Sequence, residues 1–397
     1  MRAEATVTFK GSRRQENFIN GFPSPAGITK KMKTDDNQIN VSTGSDGDAP
    51  MRTSSPSASN TSCPALPPVT ERQSSAFYVL KGLAIISVIC AHFVMGAADG
   101  DAAALAEKLR SVCGNLGVPC FFFAAGFFYR RSPRDFAPFW KKKLTTVVLP
   151  WFIGACVTFA LYSFKDRNFA DVPQRFCMWF LGLGSWLYFT TALMFCFAWF
   201  KVVTGRVNIW LTVALTVASV YMTRLGLIPY CEWFTAYVNP FNWFGFFGLG
   251  ILARRSESLR LFEKKRPVLF VFGAALAALG VYGRFYFDDF SIELPSGYAS
   301  AFAIPIEVGA GFVLIGLANL FAKSALLKDL GKKSFAIYLY HMPFVGLIKQ
   351  LIPQSSVVGI ILAPLAVAFA LQLGFRILEW LAGRFRCAQI LTYLGIR

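Results

Sequence analysis

The sequence predicts an all-α protein, a polytopic transmembrane helical bundle of about ten spans that follows a disordered N-terminal tail. Apolar residues make up 55% of the 397 residues and the mean hydropathy is +0.47, which is above the range of ordinary soluble domains. Apolar stretches of about 18 residues or more recur from residue 77 onward, and each is long enough to cross a bilayer as a helix. Short charged loops separate these stretches, as in multi-pass membrane proteins.

The chain is predicted to have three parts. Residues 1–75 are rich in Ser, Thr, Pro and Gly and have no apolar periodicity, so they cannot bury enough surface to fold. We predict a disordered cytoplasmic tail there, a membrane domain over 76–385 and a short cytoplasmic tail over 386–397. The predicted spans are 78–98, 112–129, 144–164, 180–200, 207–224, 236–253, 267–284, 299–321, 333–352 and 357–380.

Loop charge predicts the orientation of the spans. The formal net charge is +18, and Lys and Arg concentrate in the loops after spans two, six and eight, whereas the alternate loops are poorer in them. Because cytoplasmic loops carry an excess of Lys and Arg, both termini are predicted to lie in the cytoplasm. The same distribution argues against nucleic-acid binding, which basic composition would otherwise suggest.

The nine cysteines do not form a recognisable binding motif. No C-x-x-C pair occurs, and most of the cysteines fall in or beside predicted spans, where a buried thiol acts as a small apolar group. The sequence therefore predicts no metal site and no bound cofactor.

Three ionisable residues inside predicted spans stand out as candidates: His92, Glu307 and His341. Such a group at membrane depth costs on the order of 2.5–3.5 kcal/mol or more, so it indicates function. His92 lies eleven residues after Lys81, about 16 Å along a helix and on the same face. Counting from the loops places all three residues near the middle of the bilayer. The partner of His92 must come from another helix, and Glu307, His341 and Asn115 have suitable side chains.

Structural interpretations of these residues stay open. A histidine or a glutamate in a span can simply hydrogen-bond a neighbouring helix. Lys81 can be an anchor that reaches the membrane interface. The run Lys141, Lys142 and Lys143 can be an ordinary cytoplasmic loop.

The first predicted span resembles a motif of a known family. In "LKGLAIISVICAHF", Lys81 and His92 stand where the acyltransferase-3 family of membrane O-acyltransferases has an arginine and a histidine with the same spacing. The family's preceding aspartate corresponds to Tyr78. An ammonium in place of a guanidinium replaces a bidentate fork by a point charge.

Further segments resemble the same family in the same order. They are "GVPCFFFAAGFFY", "FWKKKLTTVVLPWF", "SWLYFTTALM" with Trp186, "FNWFGFFGLGIL", and "GKKSFAIYLYHMPF" with His341 at the position of the family's histidine. The resemblance extends from about residue 77 to 381, which is nearly the whole membrane region.

The resemblance implies transfer of an acyl group, usually acetyl from acetyl-CoA, to a hydroxyl of a cell-envelope sugar or polysaccharide precursor. His92 would act as a general base or as a nucleophile, with Glu307 or His341 orienting it or relaying a proton. Lys81 and Lys141–Lys143 would favour the donor's phosphates.

The resemblance also implies a location and the remaining contacts. Trp186 would offer its ring to a sugar, and Tyr78 would contribute to substrate binding. The expected location is the bacterial cytoplasmic (inner) membrane, and the expected partners are an acyl-CoA donor, a glycan or glycolipid acceptor and the lipid bilayer.

Two other function classes fit the composition. A multi-span transporter or flippase of a lipid-linked sugar would also have many spans and a few buried polar groups, although the sequence shows no inverted repeat of the kind found in many transporters. An inactive membrane scaffold of the same family is the other alternative, since Tyr78 and Lys81 depart from the family pattern.

Overall fold

The computed structural model describes residues 68–93, 101–130, 136–224, 237–255, 266–286, 302–351 and 357–396. Within these ranges every regular element is a helix, which confirms the predicted all-α class. Up to residue 67 the predicted disordered tail lies outside the described residues. Residues 71–75, which were also predicted to belong to the tail, form the start of α1, because the Thr70–Gln73 cap begins the helix there.

The helices are as follows, in chain order: α1 Glu71–Phe93, α2 Asp101–Phe128, α3 Phe136–Lys143, a π-helical segment Leu144–Val148, α4 Leu149–Lys165, α5 Val172–Leu181, α6 Tyr188–Val202, α7 Arg206–Arg224, α8 Phe241–Arg255, α9 Arg266–Tyr286, α10 Ala303–Leu320, α11 Ala325–Lys332, α12 Ser334–Leu351, α13 Val357–Arg384 and α14 Ala388–Tyr393.

Each of the ten predicted spans overlaps a helix. Five helical stretches are long and apolar enough to cross a membrane by length and composition, and shorter apolar helices accompany them. The long stretches are Glu71–Phe93, Lys108–Phe128, Phe136–Lys165, Pro267–Arg284 and Val358–Arg384. Large apolar side chains are exposed on the outer helix faces, where lipid would cover them; examples are Leu320, Val268 and Trp380. The chain is a multi-pass membrane protein.

Helix α1 lies at the centre of the bundle. It begins with a capping box, in which the Gln73 backbone N–H donates to Thr70 Oγ1 at 3.2 Å and the Thr70 N–H donates to Gln73 Oε1 at 3.1 Å, so two N–H groups of the first turn are satisfied. Helices α2, α10, α11, α12 and α13 all pack against α1. Residues on every side of α1 are therefore buried.

The fourth predicted span, 180–200, is interrupted in the structure. Helix α5 ends at Leu181, and a turn precedes α6, which begins at Tyr188. Gly182 starts this turn with φ +81°, and a Cβ there would lie 2.2 Å from the Tyr188 Cα atom. The left-handed conformation and the close approach both require glycine, and a hydropathy window does not detect such a turn.

Helix α11 lies in a predicted loop and joins α10 to α12. Its Asp329 accepts bonds from Lys333 at 2.5 Å, from Gln372 at 2.7 Å and from Arg376 at 2.8 Å. Lys333 is buried and also pairs with Glu379 at 3.0 Å. These bonds connect α11 and the start of α12 to α13, because the last three partners of the network belong to α13.

Helices α2 and α8 touch through their backbones. A Cβ at Gly126 would lie 1.9 Å from the Phe247 carbonyl oxygen, so the helices cannot keep this distance with a larger residue. We expect Gly126→Ala to lower the free energy of unfolding by about 1–3 kcal/mol or more, measured by thermal unfolding in detergent. Gly374→Ala is the matched control, because nothing lies within 4 Å of its added Cβ; equal stability of the two variants would contradict the packing.

The carboxylate of Asp329 predicts a pH dependence of stability. Burial would raise the pKa of Asp329, but hydrogen bonds from Lys333, Gln372 and Arg376 outweigh it and lower that pKa. A pKa below the unfolded value of about 3.9 stabilises the fold above that pH, and the contribution is lost as the pH falls through the folded value.

Asp329→Asn should therefore cost about 1.5–3 kcal/mol at pH 7, as expected for lost hydrogen bonds to a charged group. The difference from wild type should shrink as the pH falls below 4. Thermal unfolding at both pH values measures this, and a difference that grows on acidification would contradict the account.

Candidate active site

The two histidines of the chain meet between α1 and α12. The ring centroids of His92 and His341 are 5.2 Å apart, with 47° between the ring planes. His341 is fully buried, whereas His92 is partly exposed. Among the described residues His92 has no hydrogen-bond partner.

One nitrogen of His341 is bound and the other is not. His341 Nδ1 lies 2.7 Å from the carbonyl oxygen of Tyr338. Since a carbonyl only accepts, Nδ1 carries the proton, and in the neutral ring Nε2 has the lone pair. Nε2 is buried and has no hydrogen-bond partner among the described residues. The bond to Tyr338 fixes the tautomer of His341, and its Nε2 lone pair is a proton acceptor beside His92.

Pro343 determines which groups hold α12 in place near His341. A proline has no N–H, so the carbonyl four residues earlier, that of Leu339, loses its bond within the helix. The Trp186 indole N–H donates to this carbonyl at 3.3 Å. In return the Tyr338 hydroxyl donates to the Trp186 carbonyl. These two bonds join α12 to the turn between α5 and α6, and they position His341.

Aromatic side chains form one wall of the histidine pair. The Trp186 ring is 6.0 Å from the His341 ring and nearly perpendicular to it. Trp186 also packs against Trp179 at 5.1 Å and Tyr162 at 5.8 Å. Such surfaces bind the apolar faces of sugars and other flat groups.

Tyr78 and Lys81 lie in the N-terminal half of α1. Lys81 Nζ is 4.8 Å from the centroid of the Tyr78 ring, a cation–π distance. Both side chains are partly exposed. The eleven residues from Lys81 to His92 span about 16 Å of one helix face, so α1 connects Lys81 with the histidine pair.

The three lysines of the predicted basic run have different surroundings. Lys143 Nζ lies 3.8 Å from the centroid of the Phe197 ring and 5.6 Å from that of Phe139. Lys141 and Lys142 are exposed on α3. The structure thus brings Tyr78 to Lys81, and it gives Lys143 an aromatic partner of its own.

Glu307 is not part of the histidine pair. It is buried on α10, and its Oε2 atom has no hydrogen-bond partner among the described residues. Within those residues it makes no hydrogen bond or ion pair with His92 or His341. Asn115 is buried on α2. The part of the chain that the structure describes contains no group of three or more His, Cys, Asp or Glu residues that could hold a metal ion.

Sequence reasoning did not assign roles to Tyr338 and Pro343. Both lie in "IYLYHMPF", three residues before and two residues after His341. A proline inside an apolar span was the available signal, because it exposes a carbonyl that another group must satisfy in the membrane. The donor to that carbonyl comes from a distant segment, so the sequence alone does not identify Trp186 as the partner.

Comparison with known proteins agrees with these features. The family model described as an acyltransferase domain, that of the acyltransferase-3 family, matches residues 75–377. No curated protein and no solved structure matches the chain. The matched region extends from the first turns of α1 into α13 and contains both histidines. The chain belongs to the acyltransferase-3 family of membrane acyl-transfer enzymes.

Proposed function

We propose that this protein transfers an acetyl group from acetyl-CoA to a hydroxyl of a cell-envelope sugar or polysaccharide precursor. The observation that carries the proposal is the histidine pair: His92 and His341 come from different helices, lie 5.2 Å apart, and present an unpartnered Nε2 atom in a buried site. Two imidazoles in that arrangement suit proton transfer from a hydroxyl.

The acceptor hydroxyl binds beside the two rings, within reach of a nitrogen of each. His92 accepts its proton while the hydroxyl oxygen attacks the thioester carbonyl. The C–S bond then breaks, and the CoA thiolate leaves and takes up the proton. His341 Nε2 accepts a hydrogen bond from the acceptor or shares the proton, because its Nδ1 is held by the Tyr338 carbonyl. An acyl-imidazole on His92 is the alternative course.

The donor binds at α1. CoA is highly anionic, so its phosphates suit the ammonium group of Lys81. Its thioester stands at the end of a long flexible arm, which can cover the distance of about 16 Å from Lys81 to His92. Lys141 and Lys142 are exposed on α3 and add positive charge that attracts the donor.

The acceptor binds against the aromatic wall. The Trp186 ring adjoins His341, and Trp179 and Tyr162 pack against Trp186, which suits a sugar ring whose hydroxyl points to the histidines. In this proposal the protein lies in the bacterial cytoplasmic membrane with both termini in the cytoplasm, which the excess of Lys and Arg in alternate loops supports.

Acyl transfer by isolated membranes tests the proposal. Membranes that contain wild type or His92→Ala receive labelled acetyl-CoA, and label is followed into glycolipid and polysaccharide. Loss of a general base should lower the rate by about 10²–10⁴-fold. Cys90→Ala is the matched control, because Cys90 is on the same helix but packs with Ala106 and Ile360, and it should keep near-normal transfer.

Each other outcome has a definite meaning. Equal label with wild type and His92→Ala would contradict the role of His92. Movement of unmodified glycolipid without label would instead indicate a transporter or flippase. Absence of both label and movement with wild type would favour the inactive scaffold.

The tautomer of His341 gives an independent prediction. His341→Asn retains an N–H near the position of Nδ1, so it can still bind the Tyr338 carbonyl, but it has no atom equivalent to the Nε2 lone pair. We expect normal folding, a melting temperature close to wild type and a fall in kcat of at least about 10²-fold. A variant with normal kcat would show that His341 only supports the packing of α12.

A further inference from the structure

A second lysine lies beside Tyr78 and Lys81 of α1. Lys332, the last residue of α11, has its Nζ 5.8 Å from the centroid of the Tyr78 ring, and Lys81 Nζ lies 4.8 Å from the same centroid. The two ammonium groups are therefore separated by no more than the sum of these distances. Phe128 packs against the Tyr78 ring at 6.4 Å and supports it from α2.

The backbone fixes this arrangement. A Cβ at Gly331 would lie 1.7 Å from the Tyr78 carbonyl oxygen, and a Cβ at Gly82 would lie 2.6 Å from that of Leu327. Helices α1 and α11 thus touch through their main chains at two glycines. Lys332 follows Gly331 directly, so this close approach places it beside Tyr78.

Lys81 and Lys332 lack the partners that the neighbouring lysine has. Lys333 is neutralised by Asp329 and Glu379. In the described part of the chain, no carboxylate pairs with Lys81 or with Lys332. Two like charges at one aromatic ring are unfavourable, and an anion between them would remove that cost.

We propose that Lys81 and Lys332, which both lie at the Tyr78 ring, form one binding site for the phosphate groups of the acyl-CoA donor. Lys332 is the new member of the site, and it comes from a helix outside the predicted spans. The inference rests on the proposed function only in naming CoA as the source of the phosphates. Lys81 alone would supply a single point charge, and Lys332 supplies the second.

Binding of CoA to the purified full-length protein in nanodiscs of zwitterionic lipid tests the pair. Isothermal titration calorimetry would measure the Kd of CoA and of inorganic pyrophosphate for wild type, Lys332→Gln, Lys332→Arg and Lys323→Gln. Lys323 is the matched control, because it is exposed in the turn before α11 and its change removes the same charge.

We expect Lys332→Gln to raise the Kd of both ligands about 10-fold, as expected when one charge-assisted contact is lost. Lys332→Arg should stay within about 3-fold of wild type, since it keeps the charge, and Lys323→Gln should be unchanged. An unchanged Kd of CoA in Lys332→Gln, or an equal loss in Lys323→Gln, would overturn the role of Lys332 while leaving CoA as the donor.

Two further measurements distinguish a failure of this inference from a failure of the proposed function. If wild type binds pyrophosphate and Lys332→Gln weakens that binding, but CoA does not bind, the anion site is supported and CoA is contradicted as the donor. Wild type that binds neither ligand would overturn the inference. Nanodiscs with added anionic lipid test a headgroup as the occupant: a lipid that lowers CoA binding of wild type to the level of Lys332→Gln, and has no effect on that variant, would overturn CoA as the occupant and assign the pair to the lipid.

Discussion

The candidate site depends on a carbonyl that proline leaves without a donor inside the membrane. Pro343 cannot bond to the Leu339 carbonyl, and an unsatisfied carbonyl in an apolar region costs several kcal/mol. The Trp186 indole satisfies it, and the Tyr338 hydroxyl binds the Trp186 carbonyl in return. This pair of bonds holds α12 against the turn before α6. The same two hydrogen bonds position His341, which lies between Leu339 and Pro343 in the sequence.

Helix α1 carries both Lys81 and His92, to which the proposed function assigns substrate roles. Residues on every side of α1 are buried, and its neighbours approach it closely at small residues. Its segment around Lys81 packs against α11 and His92 lies beside α12, and these two helices are separated only by Lys333, which is bound to Asp329 and Glu379. In the proposed mechanism this connection between α11 and α12 sets the distance between the phosphate site and the histidine pair, and therefore the length of donor that fits.

The sequence predicted the parts of the molecule that depend on local composition. Apolar length identifies a membrane helix without reference to its neighbours, so each predicted span overlaps a helix, and the depth count placed both histidines at a similar level. It did not predict the lateral meeting of His92 and His341, because that depends on packing between distant segments. The break at Gly182 was missed since hydropathy averages over a turn, and the resemblance to the family, rather than periodicity, indicated Trp186.

A double-variant cycle tests most directly whether the two histidines act as one unit. Acyl transfer would be measured for wild type, His92→Ala, His341→Asn and the variant that carries both changes. Residues that act as a unit have strongly non-additive effects, so the account predicts that the double variant is no slower than the slower single variant. A double variant whose loss equals the product of the two single losses would contradict it, because the two rings would then act independently.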